Sequence, residues 1–426
     1  MKACASCGRL YPDDAGFCQV DGAALVSATH APVISDGQDA RIGQIYCQRY
    51  QVRRVVADGG MGRVYEALDM IERKNIALKI LHPEVAHNTI AVERFKREFE
   101  VSRELVHPHI VQVLDFQPTH DHTFALAMEF LYGEELRATL KRESVIGPAR
   151  LVRMLSQVAL ALDSAHERKL VHRDLKPDNL FLCQTREGDN VKILDFGSVK
   201  DKGEGAKKLT VLGTTLGSPY YMAPEQAQGL DTLDHRADVW ALSAIIYECV
   251  AGRVPFSARN APSILLEILT KEPRPASVVS RRQKHRAPPG LDAVLAHSFK
   301  KNPALRTTSV GALADAVGGA YGLEGTHHDW AKTPEAELSA AIEAKLPALL
   351  AAEGPVDDGG DDDEALDALV DEIAPDSEPS AEPRAPLAAS APVPEAHGMS
   401  WGIIAAVGGG ALVVGVLIVL AVFFAR

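Results

Sequence analysis

The sequence predicts an α+β fold in which a small β-rich part precedes a larger helical part. Three observations carry this. Apolar residues alternate over residues 50–56, and two further strand-like runs follow at 63–68 and 76–81. A charged amphipathic helix is expected over 92–106, and beyond about residue 150 the apolar periodicity becomes helical, as at 151–167 and 238–250. After Gly325 the composition turns acidic and Pro/Ala-rich before a final uncharged run.

With 426 residues, 46% of them hydrophobic, the chain can bury at least one large core. The net charge of −12 is unevenly spread. Between Gly325 and Ser400 there are 3 Lys/Arg against 18 Asp/Glu, or −15, which leaves −12 − (−15) = +3 for the rest. The acidity therefore belongs to one segment, and no basic stripe for nucleic acid is present. Of the six cysteines, Cys4, Cys7 and Cys18 crowd the first eighteen residues, and Cys47, Cys183 and Cys249 are scattered. That is not a disulfide framework. The opening residues lack the apolar run of a secretory signal, so a reducing, cytoplasmic setting is expected.

Taken in order, residues 1–26 read as a cysteine knuckle and 27–48 as a connector without periodicity. The turn Ala57-Asp58-Gly59-Gly60-Met61-Gly62-Arg63-Val64 is rich in glycine, which lets backbone amides approach phosphates closely. Lys79 ends an apolar strand, where an ammonium is costly unless it meets an anion, and Glu98 on the following helix is the candidate partner. Each of these features alone is compatible with an ordinary turn or a solvated charge. The decisive run is His172-Arg173-Asp174-Leu175-Lys176-Pro177-Asp178-Asn179, followed sixteen residues later by Asp195-Phe196-Gly197. Phosphoryl transfer requires a carboxylate near the attacking hydroxyl, oxygen ligands for Mg²⁺ and a cation for the γ-phosphate, and these two motifs supply all three.

At this point the chain resembles the eukaryotic-like protein kinase superfamily, in wording closest to the bacterial membrane Ser/Thr kinases. The resemblance runs over about residues 50–322, with the domain drawn at 49–322, and includes Met222-Ala223-Pro224-Glu225, Asp238-Val239-Trp240 and Arg306 after Asn302-Pro303. It implies the bilobal kinase fold, with a β-rich N-lobe and a helical C-lobe. It implies that Gly59, Gly60, Gly62 and Val64 cover the ATP phosphates, and that Lys79 holds them and pairs with Glu98. Met128 matches the gatekeeper, with Glu129 and Leu131 presenting backbone groups to adenine. Asp174 matches the catalytic base, and Lys176 steadies the γ-phosphate. Asn179 and Asp195 would hold Mg²⁺ or Mn²⁺. Glu225 would pair with Arg306, and Asp238 would brace the catalytic loop. Ala57 departs from the pattern, because the family has its first glycine there.

Lys176, two residues after the base, implies Ser/Thr rather than Tyr as acceptor, and the Ala-Pro-Glu segment implies a protein rather than a small molecule. A nucleotide-binding pseudokinase scaffold is the alternative from another class. It is disfavoured by the intact Lys79, Asp174, Asn179 and Asp195. The resemblance further implies control by phosphorylation of the activation segment, residues 198–222, with Thr214 first and Thr210 next, delivered in trans by a second copy.

The amino-terminal pattern Cys4-x-x-Cys7-Gly8 with Cys18-x-x-Asp21-Gly22 resembles a zinc ribbon whose fourth cysteine is replaced by aspartate, so Cys4, Cys7, Cys18 and Asp21 are the candidate Zn²⁺ ligands. At the other end, residues 323–400 read as an acidic linker, although residues 334–352 have the composition of an Ala-rich helix. As a flexible chain the linker would span roughly 50 Å. Residues 402–424 carry no charge. At ~1.5 Å per residue they would reach ~34 Å, enough for a bilayer core. A transmembrane helix over 401–425, with Trp401 and Arg426 at its ends, would tail-anchor a cytoplasmic domain to a membrane.

Overall fold

The computed structural model describes residues 39–196, 219–230 and 233–351, together with the backbone of three short strands ahead of them. Those strands are β1 (Lys2–Cys4), β2 (Leu10–Tyr11) and β3 (Leu25–Ser27), antiparallel in the order β2-β1-β3. Cys7, Cys18 and Asp21, the activation-segment threonines and the run 402–424 lie outside the described residues. Among the described residues, no helix is long and apolar enough to cross a membrane, and no group of His, Cys, Asp and Glu is arranged to hold a metal ion.

The N-lobe is a six-stranded antiparallel sheet with two helices. In chain order it comprises β4 (Ile45–Tyr46), β5 (Tyr50–Asp58), β6 (Gly62–Asp69), β7 (Lys74–Leu81), α1 (Pro83–Ala86), α2 (Thr89–Glu104), β8 (Val113–Pro118) and β9 (Phe124–Glu129), with sheet order β4-β5-β6-β7-β9-β8. One face buries Tyr50, Val52, Tyr65, Ala67, Ile76, Leu78 and Ile80, the alternation expected of strands with one covered face. Asn88 starts α2 by accepting hydrogen bonds from the amides of Ile90 and Ala91, which satisfies two of the donors a helix start leaves unpaired.

The C-lobe follows as β10 (Glu134–Glu135), α3 (Leu136–Glu143), α4 (Pro148–Glu167), β11 (Leu180–Thr185), β12 (Gly188–Ile193), α5 (Pro224–Ala227), α6 (Arg236–Ala251), α7 (Ala261–Thr270), α8 (Ala276–Val279), α9 (Pro289–Ser298), α10 (Val310–Ala320), α11 (His327–Trp330) and α12 (Glu335–Ala351). Helix α6 is buried along nearly its whole length, so it reads apolar all round rather than on one stripe. Its Trp240 packs between Phe256 and Phe299.

Two boundaries differ from the sequence reading. The connector drawn over 27–48 joins the body by residue 39: Arg41 pairs with Asp121 at 2.9 Å and Tyr46 is 1% exposed. The linker drawn from residue 323 starts later, because α11 and α12 pack on α4 through Trp330, Leu338 and Ile342. The Trp330 ring packs against Gly318 of α10, where a Cβ would come within 2.1 Å of it, so no larger residue fits there. Its indole nitrogen donates to the Glu324 carbonyl at 3.1 Å. Replacing this buried ring, Trp330→Ala, should cost about 3–5 kcal/mol in equilibrium denaturation. A loss below about 1 kcal/mol would mean that α11 is only laid on the lobe.

Candidate active site

Three elements surround Lys79. In β7 the buried residues Ile76, Leu78 and Ile80 face the sheet core, so Lys79 projects from the opposite face. Helix α2 covers that face with a stripe of Phe95, Glu98, Val101 and Ser102. Lys79 Nζ donates to Glu98 Oε2 at 3.3 Å and to Asp195 Oδ1 at 2.8 Å, and sits 5.7 Å from the centre of the Phe95 ring. Burial works against the ammonium, but Asp195 and Glu98 more than offset it, so its pKa is raised and it stays charged. The Lys79 charge holds Asp195 well below the usual carboxylate range. Glu98 moves the other way: burial pushes its carboxyl up and Asp195 adds to that, against Lys79. Two carboxyl groups thus share one ammonium: Asp195 carries the negative charge, and its oxygens are the hard donors that a divalent cation would take.

The second group lies on the loop 172–179. Asp238, in the first turn of α6 and without solvent exposure, accepts the His172 amide at 2.9 Å and the Arg173 amide at 2.8 Å, and lies 2.8 Å from His166 Nε2. Lys176 Nζ donates to Asp174 Oδ2 at 3.1 Å, and Asn179 Nδ2 donates to the Asp174 carbonyl at 2.7 Å. The nitrogen of Asn179 is thereby committed, which leaves its amide oxygen as the atom suited to a metal. Two links join this loop to the first group: the His172 side chain, from Nε2 to the Leu194 carbonyl at 3.1 Å, and the backbone bond from the Leu194 amide to the Asn179 carbonyl at 2.9 Å. Arg173 and Asp195 hold φ values of 67° and 54°. A non-glycine residue pays about 1–3 kcal/mol for that left-handed geometry, and such strain collects at functional sites.

The glycine hairpin joins β5 to β6. A Cβ on Gly62 would lie 2.4 Å from the Ile80 carbonyl oxygen, so only glycine fits, whereas Gly60 faces open space. The Gly59 amide closes the turn onto the Gly62 carbonyl at 3.1 Å. Val64 stands opposite Lys79 in register, and Met128 opposite Ala77. Glu129, at the end of β9, has its carboxylate 2.6 Å from Lys192 and its amide on the Gln112 carbonyl, while Leu131 follows in the chain joining the lobes.

The structure therefore brings Lys79, Glu98 and Asp195 into direct contact and places Asp174, Lys176 and Asn179 on one loop. Two contributors escape the sequence reading. His166 supports Asp238, and Gln226 donates to the Arg173 carbonyl at 2.8 Å while accepting the Ala223 amide at 3.0 Å. Gln226 stands beside Glu225, whose carboxylate receives both terminal nitrogens of Arg306, at 2.8 and 3.0 Å.

A two-lobed fold, a lysine set between two carboxylates and an aspartate–lysine loop define the kinase class. The family model for the protein kinase domain matches residues 50–317, and the chain belongs to that family. Serine/threonine-protein kinase pkn3 of Myxococcus xanthus is 36% identical over 317 residues, covering 74% of this chain and 57% of that protein. PknD of Mycobacterium tuberculosis is 37% identical over 268 residues, covering 63% and 39%. The chain thus spans less than two thirds of the relatives it matches. The crystal structure of the Mycobacterium tuberculosis PknI kinase domain superposes with a TM-score of 0.50 at 29% identity, covering 65% of this chain and 97% of that one.

Asp238 is the point at which this geometry can be tested. Asp238→Ala leaves the amides of His172 and Arg173 without an acceptor, at about 1–3 kcal/mol for each buried donor. The expected outcome is a protein that melts earlier and loses catalytic-loop amide protection in hydrogen exchange before the rest of α4 and α6. Unchanged protection of residues 172–174 would contradict the bracing role.

Proposed function

We propose that the chain is a serine/threonine protein kinase that moves the γ-phosphoryl group of ATP to Ser or Thr hydroxyls of protein substrates. The contact that carries this reading is Lys79 held 2.8 Å from Asp195 and 3.3 Å from Glu98, beside a loop bearing Asp174 and Lys176. An ammonium fixed by two carboxylates is preorganised to receive the α- and β-phosphates. Asp174 takes the proton of the acceptor hydroxyl as it attacks phosphorus, and Lys176, already beside it, balances charge on the transferred group. Asn179 and Asp195 supply the oxygen donors for Mg²⁺ or Mn²⁺, which when bound neutralises phosphate charge. The relatives named as serine/threonine kinases support the acceptor class. The same residues argue against a non-catalytic scaffold.

Regulation by activation-segment phosphorylation belongs to this reading. Arg173 is half-buried, its Nε has no hydrogen-bond partner among the described residues, and its Nη2 reaches only the Leu233 carbonyl at 3.5 Å. Burial lowers its pKa, and a phosphate delivered beside it would restore the balance. A zinc ribbon at residues 1–26, an acidic linker ahead of a tail anchor at 401–425, a cytoplasmic kinase domain and phosphorylation in trans between tethered copies complete the proposal.

Lys79→Met, Asp174→Asn and Asp195→Asn should each lower turnover with Mg-ATP roughly 10²–10⁴-fold while leaving far-UV dichroism unchanged. A folded Asp174→Asn protein that phosphorylates at the native rate would refute the assignment of the base. The ends are tested by comparing the full chain with residues 39–351. The full chain should carry one Zn²⁺ and sediment with membranes, and the shorter one should do neither. Equal zinc in both would remove the ribbon, and a full chain found in the supernatant would remove the anchor.

A further inference from the structure

Residues 39–43 are fastened to the N-lobe rather than trailing from it. Arg41 reaches Asp121 in the β8–β9 turn at 2.9 Å, and the Arg41 amide donates to Asp39 Oδ1 at 2.9 Å. So held, Asp39 presents Oδ2 to two donors on β6, Arg63 Nη1 and the Tyr65 hydroxyl, each at 2.8 Å. Its side chain is 8% exposed. Burial alone would raise the Asp39 carboxyl pKa, but Arg63, the Arg41 amide and Tyr65 more than offset this, and the group is ionised at neutral pH.

Arg63 directly follows Gly62, and the same guanidinium reaches across the hairpin from Nε to Asp58 Oδ2 at 2.8 Å. Asp58 Oδ1 lies 3.1 Å from His82 Nε2, which is also 2.9 Å from the Gly59 carbonyl, and the His82 amide donates to the Met61 carbonyl at 3.1 Å. A polar chain Asp39–Arg63–Asp58–His82 therefore rings the base of the glycine hairpin. It runs from the segment ahead of β4 to the end of the strand that carries Lys79. The hairpin has no apolar anchor of its own: Val56 is 46% exposed, Met61 36%, and residues 57–61 are all exposed. Polar contacts are what restrain it.

We infer that Asp39 is a positioning residue for nucleotide binding, acting through Arg63 to hold the glycine hairpin over the phosphate site and so coupling the segment ahead of the kinase fold to nucleotide affinity. The inference rests on the kinase reading, because it requires a nucleotide under the hairpin. It also gives the ion pairs a task specific to this chain, since the hairpin carries Ala57 where the family has glycine.

The test is titration of a fluorescent ATP analogue into the full chain and its D39N, R63Q, D39N/R63Q and Y65F variants, with melting temperatures measured in parallel. Asp39→Asn should raise the nucleotide Kd roughly two- to fivefold, the scale of one partly exposed ion pair, and raise KM for ATP with kcat nearly unchanged. In the Arg63→Gln background the same change should add nothing, because its path to the hairpin is already cut. Tyr65→Phe, which removes the second side-chain donor to Asp39 and leaves Arg63 in place, should leave Kd alone. An unchanged Kd in Asp39→Asn, a lower melting temperature with no change in Kd, or an effect that persists in full without Arg63 each overturns the inference while the kinase reading stands. A wild-type chain that binds no nucleotide overturns both.

Discussion

Asp238 is a carboxylate with no solvent exposure, and the loop 172–179 is hung from it. Burial pushes its pKa up, yet His166 first, and then His172 and the Arg173 amide, more than offset this and hold it below the usual value. It also sits in the first turn of α6, where the helix dipole favours a negative charge. Because α6 is buried along nearly its whole length, with Trp240 packed against Phe256 and Phe299 two residues on, the backbone that carries this carboxylate is fixed by close packing. The amides of His172 and Arg173 inherit that rigidity, and with them the left-handed backbone at Arg173 and the direction in which Asp174 leaves the loop.

The Lys79 cluster is built on the opposite principle. Its three charged groups come from β7, α2 and the residues that follow β12, and the contacts among them are side-chain charge contacts. The ammonium is the link: it is kept charged by the carboxylates, and in return holds Asp195 ionised. Such a cluster is strong while complete and costly when one member is removed, since a buried charge is then left uncompensated. A rigid loop and a charge-assembled cleft meet through the His172–Leu194 and Leu194–Asn179 contacts, so Asp174 and Asp195 keep their spacing even though they belong to different elements.

What could be read in the sequence follows from which interactions have a period. The strands at 50–58, 62–69 and 74–81 and the helices at 89–104, 148–167 and 236–251 carry apolar repeats, and the structure has each within a few residues of its expected place. The site motifs stood out because Lys79 is an ammonium at the end of an apolar strand, and because Asp174, Lys176, Asn179 and Asp195 fall in two short runs at a fixed spacing. By contrast, β8 and β9, with Leu114, Phe116, Phe124 and Leu126, and the hairpin of β11 and β12 are short and flanked by charged turns, and they show no period long enough to separate from a loop. His166, Gln226 and Asp39 act over separations of 72, 53 and 24 residues. Nothing in their local context distinguishes them from surface residues.

The two ends of the folded body show the same limit from another side. The family model stops at residue 317, yet the lobe continues to residue 351, and the extension meets polar groups of α4 as well as its apolar ones. Arg153, buried in the middle of α4, donates from Nε to the Thr333 carbonyl at 3.0 Å and from Nη1 to the Asp189 carbonyl. Gln157, one turn on, bonds the carbonyls of Asp189 at 3.1 Å and Ala331 at 3.3 Å, and accepts the Val191 amide at 2.7 Å. These two side chains hold β12 on one side and the start of the extension on the other. A guanidinium and an amide buried at this depth need all of those partners, because each one lost leaves a polar group without water or protein to meet it. The strand that leads to Asp195 and the start of the extension are therefore seated by the same pair of residues, and the apolar contacts of Leu338 and Ile342 carry the domain on along α12.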